Sequence, residues 1–286
     1  MHIGNIKMGK QKKNLPPKRL RGPLTLLRND SHHKGAPDVY NPEPNYFEEI
    51  ILNKNVRIFF QPIVDMEGRN IHAFEALSRG PKNTPLSEKS PFAVIDVKNH
   101  SKLDRICLEN IINSIGRINQ SETFYFINCL LTNIDFLRSL PVPDEIKSRI
   151  VVEFDLNNTF FDLSQFLKNI ERLQKDGFNI ALDDIGETNI DFNLVKLINP
   201  KFVKIDISII RGIATDEKKQ IRAKHIINLA HELGAAVIAE GVEVREDLEV
   251  ITNMGVRYIQ GFLFSKAVEL IPQKTDEIAK IVKRAI

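Results

Sequence analysis

The sequence predicts an α/β fold, a closed barrel of eight strands with one strand reversed, and three observations carry that prediction. Eight short apolar runs are spread over residues 57–264, among them IHAF, FYFI, IVV, NIAL, FVKI, AAVIA and RYI. Runs of this length and β-rich composition read as buried strands. Stretches with helical spacing separate most of them, the alternation expected of βα units around a parallel sheet. Most runs also end in a polar residue: in order Glu75, Asn128, Glu153, Asp183 with Asp184, Lys204 with Asp206, Glu240 and Gln260. In a closed βα barrel the strand C-termini meet at one mouth, where active sites are built. Polar ends on nearly every strand therefore predict one convergent polar site.

The elements follow in chain order. Strand one covers about 57–64 (RIFFQPIV) and strand two about 70–77, with Glu67-Gly68 turning between them. That connection is too short for a crossover helix, so the two strands pair antiparallel. Residues 91–118 carry helical spacing (Phe92, Ile95, Leu103, Ile106, Leu108, Ile111, Ile112, Ile115) and predict two helices broken near Asn99. Strands three and four fall near 123–128 and 149–154, the second preceded by a loop bounded by Pro141 and Pro143. Helices near 162–176, 190–198, 216–233, 244–254 and 274–285 then alternate with strands near 178–183, 201–206, 235–240 and 257–263.

Composition bounds the class. A chain of 286 residues, 42% hydrophobic and 27% charged, is ordinary for a soluble globular protein, and residues 46–286 suit one barrel of the usual size of about 250 residues. No stretch of about 18 apolar residues suggests a membrane helix. The basic N-terminus is followed only by PLTLL, too short for a secretory signal. Cys107 and Cys129 make no disulfide framework and read as two buried reduced thiols, so the cytoplasm is the expected compartment. Residues 1–45 hold nine Lys/Arg against Asp30, Asp38 and Glu43, a net +6, whereas the remainder carries −3. With four prolines by Pro37 and few periodic apolar residues, this segment reads as a disordered basic tail. A basic arm for nucleic acid, anionic lipid or an acidic partner is the alternative. No aromatic residue precedes Tyr40 to stack on a base, which disfavours nucleic acid.

The polar ends have their own chemistry. Glu75, Glu153, Asp183, Asp184 and Glu240 bring five carboxylates to one mouth, and Asn128 adds a neutral amide oxygen. Anions this close raise one another's pKa and cannot all ionise without cations. Two hard divalent ions supply four positive charges and want oxygen ligands. There is no His or Cys cluster, so zinc is disfavoured, and Cys129 points away if Asn128 points in. Two metals about 3.5–4 Å apart, bridged by a carboxylate, are a standard device for phosphodiester hydrolysis. Lys204 suits orienting the attacking water or neutralising transition-state charge.

These residues resemble the EAL-domain cyclic-di-GMP phosphodiesterases of bacteria. The signature glutamate lies in Phe74-Glu75-Ala76-Leu77-Ser78-Arg79, preceded by Phe60-Gln61-Pro62-Ile63-Val64. The resemblance runs on through Ile127-Asn128, Val152-Glu153, Leu182-Asp183-Asp184-Ile185-Gly186, Val203-Lys204-Ile205-Asp206, Ala239-Glu240-Gly241-Val242-Glu243 and Ile259-Gln260-Gly261-Phe262, covering about residues 45–270. It implies a modified TIM (β/α)8 barrel with an antiparallel first strand, Mg2+ or Mn2+ as a pair of ions, and cyclic-di-GMP opened to linear pGpG. It implies that Glu75, Asn128, Glu153 and Asp183 ligate the first metal. Asp183 bridges to the second, joined by Asp184 and, directly or through water, by Glu240. Lys204 matches the lysine beside the nucleophilic water. Gln61 and Arg79 match contacts to guanine and phosphate, and Glu243 and Gln260 match further positions of that pocket. Asp206 has two readings of equal weight, a partner for Lys204 or a functional group of the pocket.

Departures from the family pattern leave two functions open. Where the family has Glu-Ile/Leu-Thr-Glu this chain has Glu153-Phe154-Asp155-Leu156, losing the second glutamate, which anchors the neighbouring loop. That loop reads Ile185-Gly186-Glu187-Thr188-Asn189, and β-branched Thr188 replaces a glycine, so its path should differ. Asp155, Asn157 or Asn158 are candidate substitutes for the missing anchor. One reading is a metal-dependent phosphodiesterase; the other is an impaired member acting as a cyclic-di-GMP receptor or protein-binding regulator. A protein partner and a homodimer both suit the family. The retained metal ligands favour the enzyme. Bland readings cover the rest: Asp191 as a helix cap, Glu243 and Glu246 favouring a helix dipole, and Lys219 and Lys224 as solvated faces.

Overall fold

The computed structural model describes residues 44–118, 122–156, 162–186, 192–269 and 280. The expected tail at 1–45 falls almost wholly outside this set. So do nearly all of the expected helix at 274–285, the positions Asn157 and Asn158, and the loop at 187–191.

Eight strands close into one barrel in sequence order. They are β1 (Arg57–Asp65), β2 (Asn70–Arg79), β3 (Phe124–Asn128), β4 (Ile150–Asp155), β5 (Asn179–Ile185), β6 (Phe202–Ile205), β7 (Ala236–Ala239) and β8 (Tyr258–Ile259). All neighbours from β2 to β8 pair parallel, while β1 is antiparallel to both β2 and β8. The cause is the tight β1–β2 turn, as the sequence predicted. Asp65 Oδ1 accepts from the backbone N–H groups of Glu67 and Gly68, both at 3.0 Å, and Arg69 takes φ 51°. Arg257 Nη2 clamps the same carboxylate at 2.6 Å, and its guanidinium holds the Asp65 pKa down at about 2.

Helices wrap the outside. The described ones are α1 (Pro44–Ile51), α2 (His100–Arg117), α3 (Ile134–Ser139), α4 (Asp144–Lys147), α5 (Leu163–Lys175), α6 (Phe192–Ile198), α7 (Ile207–Ile210), α8 (Glu217–Glu232) and α9 (Arg245–Asn253). Aspartates fix several starts by accepting backbone N–H bonds in the first turn. Asp162 does so for α5 and Asp216 for α8. Two expectations change. Of the two helices expected in 91–118, only α2 is a full helix; the first is reduced to single 3-10 turns at Pro91–Ala93 and Val97–Asn99. Asp96 there accepts from Lys98 N at 3.3 Å, and Val94, Ile95 and Val97 are β-branched, so local bonding and χ1 restriction both oppose a helix. β8 stops at Ile259 instead of about 263, because the chain folds back at Gly261. A Cβ there would lie 1.9 Å from the Val242 carbonyl oxygen, so only glycine permits this approach.

Two apolar cores result. The larger lies between strands and helices. The smaller fills the barrel and takes Ile63, Ala73, Phe126, Val151, Ala181, Phe202 and Ile238 from β1 to β7, with Tyr258 of β8 packed against it. Side chains alternate along a strand, so the residue two positions on returns to the same interior face. Toward the mouth, two positions from this plug, those residues are Gln61, Glu75, Asn128, Glu153, Asp183, Lys204, Glu240 and Gln260. Every strand thus presents one polar side chain above an apolar floor.

Candidate active site at the barrel mouth

The registers hold these side chains in a ring. Gln61 lies opposite Glu75, Asn128 beside Glu153 and Lys204 beside Ile238. Just past the strand ends, Glu240 N donates to Ile205 O at 3.1 Å and Gln260 N to Ala239 O at 2.8 Å, so both residues remain fixed by backbone bonds. Glu75, Glu153, Asp183, Lys204, Glu240 and Gln260 are all buried.

Lys204 is the hub. Its side chain is 0% exposed, and Nζ lies 2.5 Å from Glu153 Oε1, 2.6 Å from Glu240 Oε1, 3.1 Å from Asp183 Oδ1 and 3.9 Å from Glu75 Oε2. Burial pulls an ammonium pKa down, but the field of Asp183, Glu153, Glu240 and Glu75 outweighs it and holds Lys204 above its ordinary value. One cation does not neutralise the ring. Burial first, with Glu75 and Asp183 adding repulsion, pushes Glu153 well above the usual carboxylate range despite Lys204 beside it. Burial and the Asp183 charge likewise raise Glu240 to about 8, and burial with Asp183, Glu240, Asp206 and Asp155 raises Asp184 to about 9. Fully ionised, five carboxylates around one ammonium leave four negative charges in excess.

Asp184 reaches this ring through its backbone. In a regular strand it would point away from Asp183; instead it takes φ 54°, and the β5–β6 register slips between Leu182 and Ile185. Asp tolerates the left-handed region better than most residues, and strain of this kind, of order 1–3 kcal/mol, concentrates at functional sites. As a result Asp183, Asp184 and Glu240 offer oxygens within 4.8 Å of one another.

The donor set fits hard divalent ions. It is all oxygen, anionic and without His or Cys, the preference of Mg2+ and Mn2+ rather than zinc. Asn128 Nδ2 donates to Glu153 Oε2 at 3.1 Å, which leaves its Oδ1 as a neutral ligand oxygen. Gln260 Nε2 donates to Glu75 Oε2 at 2.6 Å, orienting that carboxylate. Cys129 is buried in the outer core, facing away from the ring as the alternation required.

The remaining predicted residues take separate places. Gln61 Nε2 donates to Ser265 O at 3.3 Å. Arg79 sits at the rim with its guanidinium 5.8 Å from the Phe59 ring centre and Nη1 donating to Ser78 O; among the described residues no ion pair engages it. Glu243 Oε1 accepts from Arg211 Nη2 at 2.5 Å on the outer lip. Asp206 turns to backbone, accepting from Ser208 N at 2.7 Å as the cap of α7, while Lys204 ion-pairs with the four acids above. Sequence reasoning missed Arg57, which lies directly opposite Arg79. It also missed Asp104, buried on the apolar face of α2; a charge inside that face was the available signal.

A family model described as "EAL domain" matches residues 45–267. Cyclic di-GMP phosphodiesterase PdeF of Escherichia coli (strain K12) is 25% identical over 237 residues, covering 79% of this chain and 32% of that protein. Probable cyclic di-GMP phosphodiesterase PdeB of the same organism is 26% identical over 233 residues, covering 77% and 44%. The chain therefore spans less than half the length of these curated relatives. Among solved structures, a standalone EAL protein from Vibrio cholerae O395 in its c-di-GMP-bound form aligns with TM-score 0.62 at 25% identity, over 74% of this chain and 92% of that one. The manganese/cy-diGMP complex of Klebsiella pneumoniae BlrP1 aligns with TM-score 0.66 at 24% identity, over 75% and 56%. Among the described residues, no helix is long and apolar enough to cross a membrane.

Proposed function

The chain belongs to the EAL domain family, and from that premise we propose that it hydrolyses cyclic-di-GMP to linear pGpG. Water adds to one phosphorus, the bond to the 3′ oxygen breaks, and a 5′-phosphate remains. The observation that carries this reading is the carboxylate ring around Lys204, with Asp184 turned into it by its positive φ. Glu75, Asn128, Glu153 and Asp183 would hold one Mg2+ or Mn2+, and Asp183, Asp184 and Glu240 a second; such ions supply charge neutralisation at phosphate and a lower pKa for water. Lys204, kept protonated by its neighbours, holds Glu153, Glu240 and Asp183 in place and presents fixed positive charge to the developing oxyanion. Arg79, half-buried and in no ion pair among the described residues, suits a ligand phosphate. Gln61 and Gln260, one from each side of the β1–β8 seam, and Glu243 on the lip suit the guanine edges. The cytoplasm, where Cys107 and Cys129 stay reduced, is the compartment this reading favours.

One observation favours a second reading, binding without turnover. Leu156, where the family has its loop-anchoring glutamate, packs against the outer apolar core. A receptor or protein-binding regulator, as monomer or homodimer, would need the pocket without the anchored loop. Turnover of cyclic-di-GMP with Mn2+ decides between them, measured beside Glu75→Ala and Leu156→Glu. Product lost in Glu75→Ala supports hydrolysis. Binding without product in the unaltered chain, with product gained in Leu156→Glu, supports the receptor.

A further inference from the structure

Asn128 is the one neutral member of the proposed metal-binding set, and its strand ends with it: Asn128 beside Glu153 is the last pair of the β3–β4 ladder. Beyond that point no sheet holds the chain, so something else must fix the backbone that carries Asn128. A buried polar network from α2 meets it there. Asp104 Oδ2 accepts from the backbone N–H of Leu130, two residues past Asn128, at 3.1 Å. The same oxygen accepts from Asn133 Nδ2 at 2.8 Å. Asn133 is 0% exposed and fully used: Nδ2 also donates to Ser101 O at 2.8 Å, while Oδ1 accepts from Ser101 Oγ at 2.9 Å and Arg105 Nε at 3.0 Å. A buried amide with every donor and acceptor engaged is a rigid fixture.

A carboxylate in this position has a cost. Asp104 is buried, no ion pair with any described residue engages it, and burial raises its pKa to about 6. An apolar residue would suit this face of α2 better, unless the acceptor oxygen has a task. The geometry points to one: we propose that Asp104 and Asn133 are positioning residues that fix the β3 exit and so hold Asn128 in register for divalent-cation binding. This rests on the metal-site reading above and extends it to residues outside the ring.

Both bonds that matter converge on one oxygen, Oδ2, which gives a clean test. Asp104→Asn can keep both bonds on its amide oxygen while removing the charge; Asp104→Ala keeps neither. Mn2+ affinity is measured by calorimetry on the full chain, without substrate, together with thermal melting. Residues that orient a metal ligand are worth about tenfold to a hundredfold in affinity. Asp104→Ala and Asn133→Ser should weaken Mn2+ binding by about tenfold, and Asp104→Asn should stay within about threefold of the unaltered chain. Should Asp104→Ala not fold, Asn133→Ser against Asp104→Asn carries the comparison. Equal Mn2+ affinity in all variants, with only the melting temperature lowered, overturns positioning in favour of mere packing. Loss in Asp104→Asn as large as in Asp104→Ala assigns the effect to charge and also overturns it. If the unaltered chain itself binds no Mn2+, the metal-site reading fails first and takes this inference with it.

Discussion

Lys204→Met is the sharpest perturbation of the ring. The ammonium sits 2.5 Å and 2.6 Å from Glu153 and Glu240, with Asp183 at 3.1 Å. At an effective dielectric of about 20, each of the two closest contacts is worth roughly 6 kcal/mol in Coulomb energy. Desolvating the ions costs several kcal/mol each, so the net loss on removing one buried partner is about 3–5 kcal/mol. The pH dependence follows from the carboxylates left behind. Glu240 and Asp184 already stand at about 8 and about 9, above their unfolded values, so they favour the folded state at low pH and cease to do so as pH rises through those values. Without the ammonium their pKa values rise further, and the penalty becomes largest when the solvent forces ionisation. Urea unfolding in EDTA should therefore show Lys204→Met less stable by about 3–5 kcal/mol at pH 9 and by far less at pH 5.5. Mn2+ at pH 8 should restore much of the difference. A penalty that is the same at both pH values would refute the reasoning, because it would mean the lysine contributes packing rather than charge.

Two further outcomes follow from the same geometry. Asp184→Asn keeps a side chain that accepts φ 54° but removes a buried negative charge. The metal-free protein should gain stability at pH 9 by about 1 kcal/mol or more, since Asp184 is unfavourable when ionised, while Mn2+ affinity falls; a destabilised metal-free variant would contradict this. Gly261→Ala forces a Cβ to within 1.9 Å of the Val242 carbonyl, and should lower stability by about 2–4 kcal/mol through backbone displacement. Its thermal melt reads the loss, and an unchanged melting temperature would show that the β8 exit is not so constrained.

The ring was legible in sequence because the β-strand period carries it. Once the apolar runs were placed, Glu75, Asn128, Glu153, Asp183, Glu240 and Gln260, each just past a run, fell on the interior face, and Lys204 did so from within its run, whereas Asp206, which closes that run, caps α7. The reversal of β1 was legible too, since a turn at Glu67-Gly68 admits only an antiparallel partner. Asp184 was read as convergent from its place at a polar strand end, but its route was not legible, because alternation sends it outward and only the positive φ brings it back. The end of β8 was hidden for a related reason: Gly261 marks a close approach to Val242, a contact far away along the chain. Arg57 was missed because its place opposite Arg79 comes from the strand register, and Asp104 because its charge within the apolar face of α2 names no partner, Leu130 N and Asn133 being 26 and 29 residues away.

The reversed first strand also determines where the molecule is wired to what precedes it. In a barrel with all strands parallel, the polypeptide arrives at the closed floor. Here Arg57 stands level with Arg79 at the open end, and α1, with Ile50 and Ile51 buried, ends only six residues upstream of it. That sets the start of β1 at the lip, beside the end of β2. Four residues farther in, the strand reaches Gln61 and, across the hairpin, Glu75.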